Sequence, residues 1–228
     1  MKKFALVLVA ACLATAAFAD NTTSSTVNID PHRFEAAIQA FEETDRLAEP
    51  SGNAFLFYGS SSIFYWHDML AEDLAPLEVL PRGFGGSTII GALHYARRVV
   101  IPSNPKAVVL YEGDNDIAKY GMPVDEFVGL FRQFVTLIHQ ELPDTRIYFL
   151  SIKPSPSRWQ AWPIMREANR RVEAICDNDD LLQYIDVASP MLDADGLPIE
   201  GIFVQDKLHM NRDGYLIWKN VVRASLID

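Results

Sequence analysis

Apolar residues along the chain fall into two alternating kinds of segment. Short runs rich in β-branched and aromatic residues predict strands. These runs are Ala54–Tyr58, Leu77–Leu80, Ala107–Tyr111, Arg146–Ile152 and Leu182–Val187. Between them apolar residues recur at helical spacing, most clearly over Thr88–Val100, Val124–Leu142, Ile164–Cys176 and Asp213–Leu226. Strands that alternate with helices build parallel sheets, so the pattern predicts an α/β fold, a three-layer α/β/α sandwich around a five-stranded, mainly parallel sheet.

The first 19 residues have the features of a secretory signal peptide. Lys2 and Lys3 precede an apolar run that ends in an A-F-A cleavage pattern at residues 17–19. We therefore expect export to the periplasm or the medium, with a mature start near Asp20. A second interpretation stays open, because the residues up to Cys12 resemble a lipoprotein cleavage site. Cleavage there would leave a protein anchored through a lipid on Cys12.

The remainder predicts one domain. Residues 20–30 are polar and rich in Ser and Thr, which predicts a flexible leader. Residues 31–228 contain no repeat or linker and form the predicted domain, whose first helix starts near Pro31. No internal stretch has the roughly 18 consecutive apolar residues that a membrane span requires, so no integral span is expected.

Charge and cysteine content narrow the classes of partner. Loss of Lys2 and Lys3 on cleavage would take the formal net charge from −10 to −12. A strongly negative protein is a poor ligand for nucleic acid or for an anionic membrane surface. The mature chain would keep a single cysteine, Cys176, within an apolar helical run, so it is predicted to be a buried hydrophobe without a disulfide.

Polar residues follow three of the predicted strands, at the edge where a parallel sheet binds ligands. Ser60, Ser61 and Ser62 follow the first strand behind Gly59, which suits a turn into a helix. A serine at a helix N-terminus can be a nucleophile near free amides or simply a turn residue. The segment R-G-F-G-G-S-T follows the second strand and lacks the lysine of a phosphate-binding loop.

Asn115 lies after the third strand, in the segment E-G-D-N-D. Its amide is an uncharged donor of fixed direction that suits an oxyanion, and an Asx-turn or cap is the alternative. Three nearby carboxylates raise the possibility of a metal site, but no ligand set completes it and no cofactor is expected. Asp206 and His209 are three residues apart before the last helix, so the carboxylate can take one imidazole N–H and leave the other nitrogen as a base.

The ordered set of these segments resembles the SGNH hydrolases, also called GDSL-type esterases and lipases, from about Phe55 to Tyr215. The resemblance implies a flavodoxin-like fold and a serine-dependent hydrolase of small acyl esters, acting through an acyl-enzyme. The chain departs from the family where G-S-S stands in place of G-D-S, with Ser60 at the position of the aspartate.

The resemblance also implies the roles of individual residues. Ser61 would be the nucleophile, His209 its base and Asp206 the residue that orients the base. The oxyanion hole would consist of the backbone N–H groups of Ser61 and Gly86 and the side chain of Asn115. No metal would be needed.

The sequence says less about the substrate than about the catalytic residues. Arg158, Trp159 and Trp162 follow the fourth strand at the same sheet edge and are candidate substrate-binding residues. The expected partner is a small acyl ester or an acylated carbohydrate or lipid. The alternatives are a carbohydrate O-acyltransferase or acetylesterase of the same fold, and a non-catalytic module that binds sugar or lipid.

Overall fold

A computed structural model describes residues 27–227 of the chain. The segment interpreted as a signal peptide and residues 20–26 of the leader lie outside the described residues. Within the described part, Ile29 is buried against the core and the Asp30 side chain accepts the N–H of His32 at 2.9 Å. Packed structure therefore begins before Pro31.

The centre of the fold is a parallel sheet in the order β2-β1-β3-β4-β5. Every neighbouring pair of strands is parallel. The strands are β1 (Phe55–Gly59), β2 (Val79–Gly83), β3 (Ala107–Tyr111), β4 (Arg146–Leu150) and β5 (Leu182–Ile185). The predicted five-stranded parallel sheet is confirmed.

Six α-helices cover the sheet within the described residues. They are α1 (Glu35–Leu47), α2 (Ser61–Asp73), α3 (Ile89–Val99), α4 (Val124–Glu141), α5 (Trp162–Cys176) and α6 (Arg212–Ile227). Short 3₁₀ segments span 31–34, 156–161, 189–191 and 200–202, and a single π-helical turn spans 115–119.

Two hydrophobic cores lie on opposite faces of the sheet because successive strand residues point to opposite sides. On β3, Val108 and Leu110 pack with α1, α3, α4 and α5, whereas Val109 and Tyr111 pack with α2 and α6. Both faces of the central strands are thus buried, which explains their nearly continuous apolar sequence. The predicted three-layer sandwich is confirmed.

The observed bounds of β2 differ from the predicted bounds, Leu77–Leu80. The strand begins two residues later than the predicted start at Leu77 and runs through Pro81 and Arg82 to Gly83. Those residue types disfavour an interior strand, but β2 is at the edge of the sheet, where a proline can be accommodated. Its polar end places Gly83 and the following loop beside the end of β1.

No helix among the described residues is long and apolar enough to cross a membrane.

Candidate active site

The site forms where β1 and β3 end side by side, at the point where the strand order reverses. Gly59 has φ +125°, and a side chain there would lie 2.9 Å from the carbonyl carbon of Tyr111. Only glycine fits this turn. The turn leads directly into α2, so Ser61 is the first residue of that helix.

Three side chains form a hydrogen-bonded chain. His209 Nε2 lies 3.0 Å from Ser61 Oγ, and His209 Nδ1 lies 2.6 Å from Asp206 Oδ2. The other oxygen of Asp206 accepts the backbone N–H groups of Leu208 and His209 at 2.8 and 2.9 Å. With Nδ1–H donated to the carboxylate, Nε2 is free to accept the serine proton.

Asp206 is held in its charged form, and its side chain is 47% exposed to solvent, which also favours the carboxylate. Burial acts to raise the pKa of this carboxyl, but the imidazole of His209 and two backbone N–H groups outweigh burial and lower the pKa to about 2. The carboxylate therefore stays available to orient His209 through the acid range down to about that pH.

The three consecutive serines have different surroundings. Ser61 alone contacts His209. The hydroxyl of Ser60 accepts a hydrogen bond from Asn115 Nδ2 at 2.9 Å, and Ser62 is buried with its carbonyl bonded to the Tyr215 hydroxyl. Ser60 occupies the N-cap position of α2, without a side-chain cap bond.

The backbone N–H groups of Ser61 and Gly86 have no hydrogen-bond acceptor within residues 27–227. The N–H of Ser61 is free because the first turn of a helix leaves its donors unpaired. Gly86 has φ +80° in a turn closed by the N–H of Ser87 on the carbonyl of Phe84, as in a type II turn. Arg33, from the N-terminal 3₁₀ segment, donates to the Gly86 carbonyl at 2.7 Å.

Asn115 lies in the π-helical turn that follows β3 and is buried. Its Nδ2 donates to the hydroxyl of Ser60 and, at 2.8 Å, to the carbonyl of Ser87. The amide nitrogen therefore lies between the turn that carries Ser61 and the glycine-rich loop, and its oxyanion role stays a prediction.

A buried ionic cluster lies behind Asn115. Arg158 donates to Asn115 Oδ1 at 2.9 Å and to Asp114 Oδ1 at 2.5 Å. Lys153, which is fully buried, lies 3.4 Å from Asp114 Oδ2 and donates to the carbonyl of Leu208 at 2.8 Å. Sequence patterns singled out only Arg158 and Asn115 from this group.

Two buried acids, Glu112 and Asp116, lie beside the glycine-rich loop and the start of α3. Ser87 Oγ lies 2.5 Å from Glu112 Oε1, and burial together with the Asp116 carboxyl raises the pKa of Glu112 well above its usual range. Burial likewise raises the pKa of Asp116 to about 7, although its carboxylate accepts the N–H groups of Ile89 and Gly113. Burial and the neighbouring carboxyl therefore both favour the neutral form of Glu112.

The predicted substrate-binding residues after β4 lie at the same sheet edge. The rings of Trp159 and Trp162 stack with centroids 6.1 Å apart, and Trp162 is only 7% exposed. Trp159 is partly exposed, and Arg158 has 15% of its side chain exposed. Contact of these three residues with substrate stays a prediction.

Two aromatic residues on α2 are exposed to solvent close to the site. Phe64 and Tyr65 are 49% and 52% exposed. The ring of Tyr65 meets the imidazole of His209 edge-on with centroids 4.8 Å apart. A cavity of about 340 Å³ opens beside them, and Tyr65, Met69, Val204, Asp206 and His209 are among its lining residues.

Four further residues complete the surroundings of the site and were not predicted, namely Ser87, Glu112, Asp114 and Lys153. Ser, Asp and Glu are ordinary turn and cap residues, so their types carried no distinguishing signal. The sequence did carry a signal for Lys153. A lysine that follows an apolar strand is buried at a cost unless it is paired, so a charged partner could have been expected.

Comparison with known proteins identifies the family. Residues 50–217 match the GDSL-like Lipase/Acylhydrolase family. The chain belongs to this family. The SGNH resemblance is therefore confirmed, and the protein is an enzyme that hydrolyses ester bonds. No curated protein matches the chain in sequence.

Solved structures share the fold at low identity. A candidate acylhydrolase from Bacteroides fragilis is 21% identical, with a TM-score of 0.74 over 88% of this chain and 98% of its own. For a GDSL-like lipase from Bacteroides thetaiotaomicron the identity is 20% and the TM-score 0.70, with coverages of 87% and 97%. A variant of an acetyl-xylooligosaccharide esterase from Geobacillus stearmophilus is 16% identical, with a TM-score of 0.63 over 78% and 95%.

Among residues 27–227, no group of three or more His, Cys, Asp or Glu side chains is arranged to hold a metal ion. Cys176 is buried as expected, and burial raises the pKa of its thiol to about 12.

Proposed function

We propose that the protein is a serine hydrolase of small carboxylic esters that acts through an acyl-enzyme on Ser61. The observation that carries the proposal is the continuous hydrogen-bonded chain from Ser61 through His209 to Asp206, with contacts of 3.0 and 2.6 Å. A serine hydroxyl becomes an effective nucleophile when a positioned imidazole removes its proton during attack.

The acylation step follows from this geometry. Ser61 Oγ attacks the ester carbonyl while His209 Nε2 accepts the hydroxyl proton, and the carbonyl oxygen becomes an oxyanion. The N–H groups of Ser61 and Gly86 have no other acceptor among the described residues and can donate to that oxygen. Asn115 is the third donor. The N–H that donates to the Ser60 hydroxyl exchanges this acceptor for the oxyanion, which is a stronger acceptor.

Collapse of the tetrahedral intermediate expels the alcohol, which receives its proton from His209. Water then attacks the acyl group on Ser61, with His209 again accepting the proton, and the acid is released. Since imidazole, serine and oxyanion donors account for every proton and charge in these steps, the reaction is proposed to need no metal and no cofactor.

The substrate is proposed to be a small ester. The cavity of about 340 Å³ is at the small end of ligand pockets and borders His209, which protonates the leaving alcohol. We therefore assign the alcohol side of the substrate to this cavity. The exposed ring of Tyr65 is a suitable platform for a sugar, so an acetylated carbohydrate is the favoured natural substrate class.

A fluorophosphonate probe tests the nucleophile. The expected result is one labelled peptide, with the adduct on Ser61, absent in Ser61→Ala and much slower to form in His209→Ala. Ser225→Ala, which removes a hydroxyl on α6 far along the chain, is the matched control and should label normally. An adduct on Ser60 or Ser62 would overturn the assignment of the nucleophile.

A series of p-nitrophenyl esters of increasing chain length tests the reaction and the substrate class. Turnover should be fastest for acetyl and fall with length, and extended EDTA treatment should leave it unchanged. Acyl transfer to an added sugar in preference to water would identify an acyltransferase instead. Folded protein without labelling or turnover would favour a binding module.

A further inference from the structure

The amide of Asn115 can serve as an oxyanion donor in only one of its two orientations. Its nitrogen and oxygen ends have almost the same shape, but one end donates hydrogen bonds and the other only accepts them. A half-turn of the amide would present Oδ1 to the developing negative charge and repel it. A neighbouring group must therefore hold the amide so that Nδ2 points toward Ser60 and Ser87, as it does in this structure.

Arg158 contacts the amide at its oxygen end. Its terminal nitrogen donates to Asn115 Oδ1 at 2.9 Å. A guanidinium group has five N–H donors and no acceptor, so it can pair only with the carbonyl end of an amide. In the reversed orientation two donors would face each other. The contact thus selects the orientation in which Nδ2 faces the reaction site, and the Ser87 carbonyl, which can only accept, favours the same orientation.

Arg158 is itself held in place by buried charge. Its second terminal nitrogen donates to Asp114 Oδ1 at 2.5 Å, so the planar group spans two neighbouring residues of one turn. Asp114 is 8% exposed and is also paired with the fully buried Lys153. Because Lys153 donates to the carbonyl of Leu208, the same cluster also contacts the loop that carries His209.

The cluster also supplies a favourable field. Burial acts to raise the pKa of Asp114, but the cations of Lys153 and Arg158 outweigh it and lower that pKa. With Asp114 ionised, Arg158 pairs with it and with the Asn115 amide, whereas burial lowers the pKa of Lys153 against the pull of Asp114. A cation bonded to Oδ1 also polarises the amide and strengthens its N–H donors.

We propose that Arg158, anchored by Asp114, is a positioning residue that holds the Asn115 amide in its oxyanion-donating orientation. It acts through Asn115 and not through contact with the substrate. This inference rests on the proposed serine mechanism, and it gives Arg158 a different role from the substrate contact predicted by sequence position.

A double-mutant cycle separates the two roles. Arg158→Ala should lower kcat by about 10- to 100-fold while KM changes less than about 2-fold, because the lost interaction operates in the transition state. In an Asn115→Ala background the same substitution should cost less than about 2-fold, since the group that it positions is already absent. The loss should be equal for acetyl and butyryl esters.

Two further variants complete the test. Arg158→Lys keeps the charge beside Asp114 but cannot span both partners, so it should lose about as much of kcat as Arg158→Ala. Arg170→Ala removes an arginine from an exposed ion pair with Glu167 on α5 and should leave kcat unchanged. Thermal unfolding of each variant identifies any loss that follows from misfolding.

Independent losses from Arg158→Ala and Asn115→Ala, or a raised KM at unchanged kcat, would overturn the positioning role. Full activity of Arg158→Lys would overturn it as well. These outcomes are distinct from failure of the proposed function, which would appear as unlabelled Ser61 and absent turnover in the unmodified protein.

Discussion

The side chain of Asn115 is buried between the turn that presents Ser61 and the loop that presents Gly86, and every polar atom of its amide has a partner. Such a group is pre-organised, because little rearrangement is needed when negative charge develops beside it. Its neighbours set the direction of the donor, and its burial strengthens the interaction.

Replacement of Asn115 by alanine should lower kcat by about 10²–10³-fold with little change in KM, because the interaction forms mainly in the transition state. Steady-state kinetics on p-nitrophenyl acetate measures both constants. Asn178→Ala is the matched control, since Asn178 is an exposed asparagine whose side chain donates to the carbonyl of Ala174. A rise of about tenfold in KM at constant kcat would instead assign Asn115 to substrate binding.

Glu112 illustrates a residue whose charge state differs from that of a surface glutamate. Burial raises the pKa of Glu112 well above its ordinary 4.5, so the folded protein binds a proton that the unfolded chain releases. Stability contributed by this proton is present at low pH and is lost progressively as pH rises above about 4.5.

Glu112→Gln should therefore preserve the neutral shape beside Ser87, keep kcat within about 2-fold near pH 7, and gain stability relative to the parent as pH rises. Urea unfolding between about pH 5 and about pH 9 measures the difference. Glu173→Gln, at an exposed position on α5, should show no such trend. A parallel pH dependence of Glu112→Gln and the parent would contradict the raised pKa of Glu112.

At the scale of elements, the contact between β2 and α2 sets the position of the nucleophile. Gly83 ends β2 directly against the backbone of α2, and a side chain there would lie 2.7 Å from the carbonyl carbon of Ile63. Backbone cannot yield as a flexible side chain does, so the helix that begins with Ser61 would have to move.

Gly83→Ala should destabilise the protein by about 1–3 kcal/mol and also lower kcat, because it displaces α2. Gly129→Ala in α4 meets open space and should stabilise the protein by about 0.5–1 kcal/mol without affecting kcat. Urea unfolding and ester turnover together check both variants. Equal stability of the two proteins would contradict the close contact.

At the scale of the whole molecule, one sheet edge collects residues that are far apart in the chain. Ser61 and His209 are 148 positions apart, yet both lie at the carboxyl end of the sheet. The loop of His209 is fastened there by hydrogen bonds within the loop and by Lys153 beneath it. The N-terminal 3₁₀ segment reaches the same edge through Arg33, outside the residues matched by the family.

Export of the whole protein is a prediction from the sequence alone. Lys2, Lys3 and the A-F-A pattern predict cleavage after Ala19, and the released chain would carry a net charge of −12. Mass spectrometry of protein recovered outside the cytoplasm should find a terminus at or near Asp20. A terminus at Cys12 carrying diacylglycerol would identify a lipoprotein instead.

The sequence by itself determined the fold class and the segments that contain the site. Strand and helix periodicities depend on local burial, so the strongly buried β3 was placed correctly at Ala107–Tyr111. Gly59, Asn115 and the Asp206–His209 pair were identifiable because turn conformation, amide chemistry and spacing within one turn are local properties.

Tertiary structure alone decided which groups meet across the sheet edge. Residue type could not distinguish Ser60, Ser61 and Ser62, since the choice depends on the direction in which each hydroxyl leaves the turn toward a distant loop. The pairing of Arg158 with Asn115 and the exposure of Tyr65 likewise follow from how separate elements pack. Local pattern encodes elements, whereas the assembly of β1, β3, β4 and the final loop at one edge produces the site.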